Sequence, residues 1–406
     1  MSAVSLGAPY RRLWSATLLS NLGDGIRAAA FPLLAASLTS NPVWIAGVAI
    51  AGELPGLLFG LVAGAIADRF DRRRLVVAVD VLRLALLAGL IGLITIDAAG
   101  ILAVYAVVFV CGLAEVLRDT TAGTMVPSLV QQDQLDRANG RMVTAEIAGN
   151  EFVGPPLGGY LFGVALVLPF AVNSGTLAVA AVLMISIPTM INSRRDQAAN
   201  SSTGMIKDVR SGLQWLGQHR ELLPIPITTL ALAMTDSAWF ALLVLYVQQV
   251  LGLPSIWYGI LLAAGAIGGL TGGICAARLT RAIGARRATL GCLGVAALGQ
   301  LLLGTTASVA ATAVVLATSS MAFGIWNVIA RTAIQRRTPS ELVGRISSIN
   351  GTAVTAASIL GAVLGGVAGD RLGLHAPFLL GIPVLVAAIA FVISRPSGAE
   401  PSSDPH

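Results

Sequence analysis

The chain has 406 residues, 55% of them hydrophobic and only 11% charged, with a net charge of +6 and a mean hydropathy of +0.81. Soluble globular proteins carry roughly 25% charged residues, so this composition excludes a soluble fold and predicts a polytopic membrane protein. All but one of the 26 basic residues are Arg, clustered between apolar runs, a pattern of membrane topology rather than of nucleic-acid binding.

Apolar runs fall at 13–38, 43–67, 75–96, 101–125, 141–165, 168–190, 223–250, 256–278, 287–306, 309–333, 344–368 and 373–394. Each is near the ~20 residues that cross a bilayer core, and in lipid only a helix satisfies its own backbone there, so twelve spanning helices are predicted. Arg11 and Arg12 before the first run imitate a signal peptide. Asp24 and Arg27 interrupt that run, and an uncleaved first span is the better reading. The loops "ADRFDRRR", "RLTRAIGARR" and "RTAIQRRTPSELVGR" lie on one side, whereas "TSNP", "DAAG" and "LGLPS" carry no Arg or Lys. The charge bias predicts that both termini lie in the cytoplasm. In the longest connection, 191–222, a polar stretch precedes Ile206, Val209, Leu213 and Leu216 at helical spacing. That predicts a short amphipathic helix, lying on the membrane face or packed on the body of the protein.

A shift of 212 residues superposes the special positions. Asp24 meets Asp236, Pro42 meets Pro254, Gly47 meets Gly259, Gly56 meets Gly268 and Gly60 meets Gly272. Further on, Arg69 meets Arg281, Gly112 meets Gly324, and Pro127-Ser128 meets Pro339-Ser340. The predicted fold class is therefore an all-α membrane protein of twelve transmembrane helices in two six-helix halves, 1–190 and 223–406, joined by 191–222. Parallel repeats of this kind place a site between the halves near the bilayer midplane.

The second run closes on "GAIADRFDRRR", in which Gly64, Asp68, Arg69, Arg72 and Arg73 resemble signature A of the major facilitator superfamily; Asp71 stands where that signature has a second Gly. The resemblance implies a cytoplasmic gating latch, with Asp68 set against a helix N-terminus, that of the eleventh span. Residues 112–159, with "NLGDGI" in the first run, resemble the drug:proton antiporter branch that holds macrolide-efflux proteins and enterobactin-type siderophore exporters. Within them, Gly154, Pro155, Gly158 and Gly159 of "GPPLGG" match antiporter signature C, which the resemblance associates with export. Physically, the glycines allow close helix approach and the prolines remove backbone donors and kink the span. Arg118 lies further toward the cytoplasm than the Arg of signature B, so that relay role does not carry over.

A charge inside a span costs ~2.5–3.5 kcal/mol at the helix centre, so each one needs a reason. Asp24 with Arg27, Asp80 with Arg83, and Glu115 with Arg118 and Asp119 have helical spacing for pairing within their own spans. Glu53, Glu146, Glu151 and Asp236 have no basic residue at that spacing. These four, with Asp24, are candidates for taking up and releasing a proton. Trp239, Phe240, Trp326 and Asn327 are candidates for the substrate cavity. Cys111, Cys275 and Cys292 lack metal-ligand spacing, and His219, His375 and His406 are scattered, so no metal is expected. No Ser-His-Asp set or phosphate loop suggests an enzyme. The sequence thus predicts a monomeric, cofactor-free transporter of the bacterial cytoplasmic membrane. It would export hydrophobic or amphipathic small molecules such as drugs, macrolides or siderophores, driven by the proton gradient; uptake or lipid flipping is the alternative.

Overall fold

The computed structural model describes residues 6–188 and 222–394. All regular structure among them is helical. The first half contains α1 (Ala8–Leu38), α2 (Pro42–Arg69), α3 (Arg72–Thr95), α4 (Ile101–Met125), α5 (Leu135–Glu146), a π-helical segment Ile147–Val153, α6 (Gly154–Val164) and α7 (Leu168–Ile185). The second half contains α8 (Pro224–Phe240), a short turn Leu243–Leu245 running into a π-turn Tyr246–Val250, and α9 (Ile256–Ile283). Then follow α10 (Ala285–Thr305), α11 (Val309–Arg337), α12 (Ser340–Leu372) and α13 (Ala376–Ser394).

Local chemistry sets the turns. Asn41 caps α2 by accepting from the Val43 and Trp44 amides at 2.9 and 3.3 Å, and Pro42 follows at the first helical position. Asp71 caps α3 through the Arg74 amide at 2.8 Å. Gly284, at φ +83°, reverses the chain between α9 and α10 in a conformation that other residues resist.

Among the described residues, nine helices are long and apolar enough to cross a membrane, and the bent α8–Val250 pair, at 41°, makes a tenth. The two remaining runs are α1, which carries Asp24 and Arg27, and the broken α5–α6 span. That fifth span was expected as one kinked helix over 141–165. It begins earlier, at Leu135, and is interrupted by seven residues of π-helix before the prolines. The connection 191–222, with its expected amphipathic helix, lies outside the described residues apart from Leu222.

The apolar core has three parts. One cluster draws on both halves, with Ala35, Val108, Phe162 and Phe170 beside Trp239, Leu243, Tyr258 and Phe378. A second, around Ile225, Leu293, Trp326 and Leu385, belongs to the second half alone. A third, around Leu13, Val76, Met125 and Met184, belongs to the first. The shared cluster lies at the end opposite the Arg-rich loops. There α2 packs on α12, with Asn41 donating to Asp370 at 3.0 Å, and α6 packs on α9. A β-carbon on Gly159 would lie 2.6 Å from the Gly259 backbone nitrogen, so the two helices touch backbone to backbone. Toward the Arg-rich end, by contrast, a β-carbon on Gly56, Gly60 or Gly64 of α2 would meet nothing within 4 Å. The halves are sealed together at one end and splayed at the other.

Candidate functional site

Seven charged side chains from three helices of the first half converge below the shared core. Arg27 on α1 bonds Asp24 on its own helix at 3.1 Å and Glu115 on α4 at 2.5 Å. Arg83 on α3 forms an ion pair with Asp24, and its Nη1 donates to Ser20 at 3.2 Å. Arg118 on α4 reaches Asp80 on α3 through Nε at 2.9 Å, the Ala16 carbonyl at 3.0 Å, and Asp119 at 3.5 Å. Asp80, Arg83 and Arg118 are essentially inaccessible to solvent. The within-helix pairs Asp24–Arg27, Asp80–Arg83 and Arg118–Asp119 are all present, but Glu115 pairs elsewhere and the closest partners of Asp80 and Arg83 lie across the bundle. Asp80 and Arg83 are 3.9 Å apart and each has a closer partner on a neighbouring helix. Glu115 bonds Arg27 rather than Arg118. Long guanidinium side chains at i, i+3 reach across a bundle as easily as along a helix, and three-helix pairing satisfies more of their donors.

The repeat makes this network one-sided. At the positions 212 residues on, Arg27 becomes Trp239, Asp80 becomes Cys292 and Arg83 becomes Val295. Glu115 becomes Asn327, and Arg118 becomes Ala330. Asp236, the counterpart of Asp24, keeps its carboxylate without those cations, and it accepts instead from the Trp239 indole at 3.4 Å.

Between the halves lies a cavity of two lobes that share Ala28, Phe240 and Tyr258. The first, about 360 Å³, is lined by Asp24, Arg27, Glu53, Glu115 and Asn150. The second, about 370 Å³, is lined by Glu151, Phe152, Pro155, Ser320 and Asn327 among mostly apolar neighbours. Glu53 and Glu151 are exposed to these spaces and form no ion pair among the described residues. Glu146 is also exposed, at the end of α5. Asp236 lines neither lobe and sits half-buried inside the second half.

The expected cavity residues divide. Phe240 and Asn327 line the cavity. Trp239 and Trp326 do not. Trp239 is buried and stacked on Phe378 at 5.5 Å, and Trp326 is buried with its indole donating to Thr229 at 3.2 Å. Each is one residue, or about 100° of helix, from its cavity-facing neighbour, and composition alone does not fix that rotation. Tyr258, Ser320 and Phe152 were not foreseen; only their nearness to Gly259, Gly324 and Glu151 in sequence hints at them.

Asp68 is half-exposed, and its ion partner among the described residues is Arg72, one turn on, at 3.8 Å. Arg72 and Arg73 instead cap neighbouring helix ends, at the Thr124 and Ile187 carbonyls, 3.2 and 2.8 Å away. Arg69 is exposed. "GPPLGG" packs in two directions. A β-carbon on Gly154 would lie 2.5 Å from the Gly25 Cα, and one on Gly158 would lie 2.9 Å from the Ile26 backbone, which seats α6 on α1. Gly159 faces α9 of the other half.

Comparison with known proteins agrees with this geometry. A family model described as "Transmembrane secretion effector" matches residues 6–403. The multidrug efflux pump Tap of Mycobacterium tuberculosis is 26% identical over 390 residues, covering 93% of this chain and 91% of Tap. A bacterial homologue of the iron transporter ferroportin, 18% identical, superposes with a TM-score of 0.74 in its inward-facing state, over 95% of this chain and 99% of that one. Its outward-facing state, over the same shares, gives 0.57. With its two helical halves, its interfacial cavity and a family match over nearly its whole length, the chain belongs to the transmembrane secretion effectors of the major facilitator superfamily, a family of multi-pass membrane transporters.

Proposed function

We propose that the protein exports hydrophobic or amphipathic small molecules across the bacterial cytoplasmic membrane in exchange for protons. The observation that carries this reading is the two-lobed cavity, in which unpaired carboxylates face space lined by aromatic and aliphatic side chains. The Arg-rich loops support a cytoplasmic placement of the splayed end, so that cargo enters from inside the cell. The name of the relative Tap supports drug-like cargo. Glu53, together with Asp24 in its Arg27–Arg83 clamp, forms the proton site of the first lobe, and Glu146, exposed at the end of α5, is a further proton carrier. Protonation changes which conformation is favoured, and cargo competes for the same state. Asp68 closes against α12 only when the cytoplasmic end shuts. Inverted vesicles energised by respiration test the proposal. Adding a transported drug should release protons, and Glu53→Gln should abolish that release without lowering the amount of protein. Drug movement with no pH dependence would overturn the coupling.

A further inference from the structure

Away from the cavity between the halves, the repeat exposes a second difference between them. In the first half, two aromatic side chains of α1 close the crevice between α1, α4 and α5 at the Arg-rich end. Tyr10 is buried, and its hydroxyl donates to the Ala138 carbonyl at 2.8 Å. The Trp14 indole donates to the Arg141 carbonyl at 3.1 Å. Ala122 on α4 and Val126 just beyond it are buried in the same cluster. A shift of 212 residues carries Tyr10 to Leu222, Trp14 to Pro226, Ala138 to Asn350 and Arg141 to Ala353, so both rings are lost. Ile334 in place of Ala122, and Asn350 in place of Ala138, return part of that volume. A space of about 170 Å³ remains, lined by these second-half residues of α8, α11 and α12 and by Leu222 just before α8.

The chemistry of this space is narrow. Gln134 and Arg137 of α5 become Ile346 and Ile349, and no charged side chain lines the space among the described residues. Val126 becomes Thr338, which exchanges a methyl group for a hydroxyl at nearly the same shape. Thr338 lines the space, and its buried hydroxyl has no hydrogen-bond partner among the described residues. A buried hydroxyl left unpaired is costly, so a polar atom brought in by an occupant would be held there. An apolar cavity of roughly 150 Å³ takes up benzene. A slightly larger one beside a free hydroxyl suits a ring that carries one N–H or O–H, the groups that Trp14 and Tyr10 supply in the first half. A lipid chain would cover the walls and leave the hydroxyl unpaired. We infer that the crevice between α8, α11 and α12 binds a small neutral aromatic molecule of the indole or phenol class, with Thr338 as its hydrogen-bond partner. The crevice lies within one half, so the inference stands apart from the export reading.

Photolabelling of the full-length protein in lipid nanodiscs with 5-azidoindole tests it. Mass spectrometry should place a saturable label on the stretches around Pro226 and Ala353, and excess indole should suppress it. N-methylindole, which has lost the donor, should compete about 3- to 10-fold less well. In Thr338→Val the two competitors should become equal. Leu222→Tyr with Pro226→Trp, which rebuilds the packing of the first half, should abolish the label without lowering the thermal midpoint. Ala353→Phe fills the same space from α12 and should abolish it too. Label that never saturates, or that saturates only around Phe240 and Asn327 in the cavity, would overturn the inference. So would equal competition by the two indoles in the parent protein. Crevice label that appears only in Trp215→Ala would also overturn it, by assigning the space to a tryptophan of this chain.

Discussion

Gly159 offers a direct test of the seal between the halves. In the present conformation a β-carbon at this position would lie 2.6 Å from the Gly259 backbone nitrogen, whereas ordinary contact begins at 3.4 Å. Backbone faces backbone, with the Gly259 Cα nearer still, so no side-chain rotation relieves the clash, and α6 and α9 must part by about 1 Å. Overpacking of this kind costs about 1–3 kcal/mol. The cost falls only on conformations in which the two helices touch. Gly159→Ala should therefore shift the population toward opening at this end by roughly 5- to 150-fold. Gly175→Ala on α7 is the control, because its β-carbon would meet nothing within 4 Å. Spin labels at Val164 and Ile260, both exposed, would report the distance between α6 and α9 in nanodiscs. A distance distribution in Gly159→Ala that matches the parent or the Gly175→Ala control would refute the idea that this contact holds the end shut.

Three further outcomes follow from the same geometry. Arg118→Leu strands the inaccessible Asp80 without its closest cation, a loss of about 3–5 kcal/mol, and should lower the thermal midpoint read by tryptophan fluorescence; adding Asp80→Leu should recover most of it. Gly64→Val meets open space here but obstructs closure of α2 on α12, so in labelling experiments it should favour the present conformation over its alternative. Asp370→Ala removes the exposed 3.0 Å bond from Asn41, worth about 1 kcal/mol, and should open the same end at most roughly fivefold.

The helices and the Arg-rich loops were legible because lipid leaves the backbone one solution and charge fixes the loop side. The importance of Arg27, Glu115 and Arg118 was legible too, since charge inside a span demands a reason. Their partners on the same helix, Asp24 and Asp119, were legible as well; the cross-helix pairs Arg27–Glu115, Arg83–Asp24 and Arg118–Asp80 were not, because they require the rotation of three helices. The same missing rotation put Trp239 and Trp326 on the cavity list beside Phe240 and Asn327. "GPPLGG" announced a kink, but the π-helical turns upstream depend on how Gly149 and Gly154 fit against α1. The position of Asp68 depends on conformation, which a sequence shared by every state of the protein does not specify.

The division of the core into one shared and two private clusters has a consequence for leakage. Only the shared cluster must come apart for the far end to open, and doing so exposes large side chains such as Phe162, Tyr258 and Phe378. The private clusters at the other end keep their contacts whichever way the halves tilt. In the present conformation the far end is shut and the near end open. Under the export reading, a cell that makes this protein before it meets any toxin does not open a path for the toxin to enter.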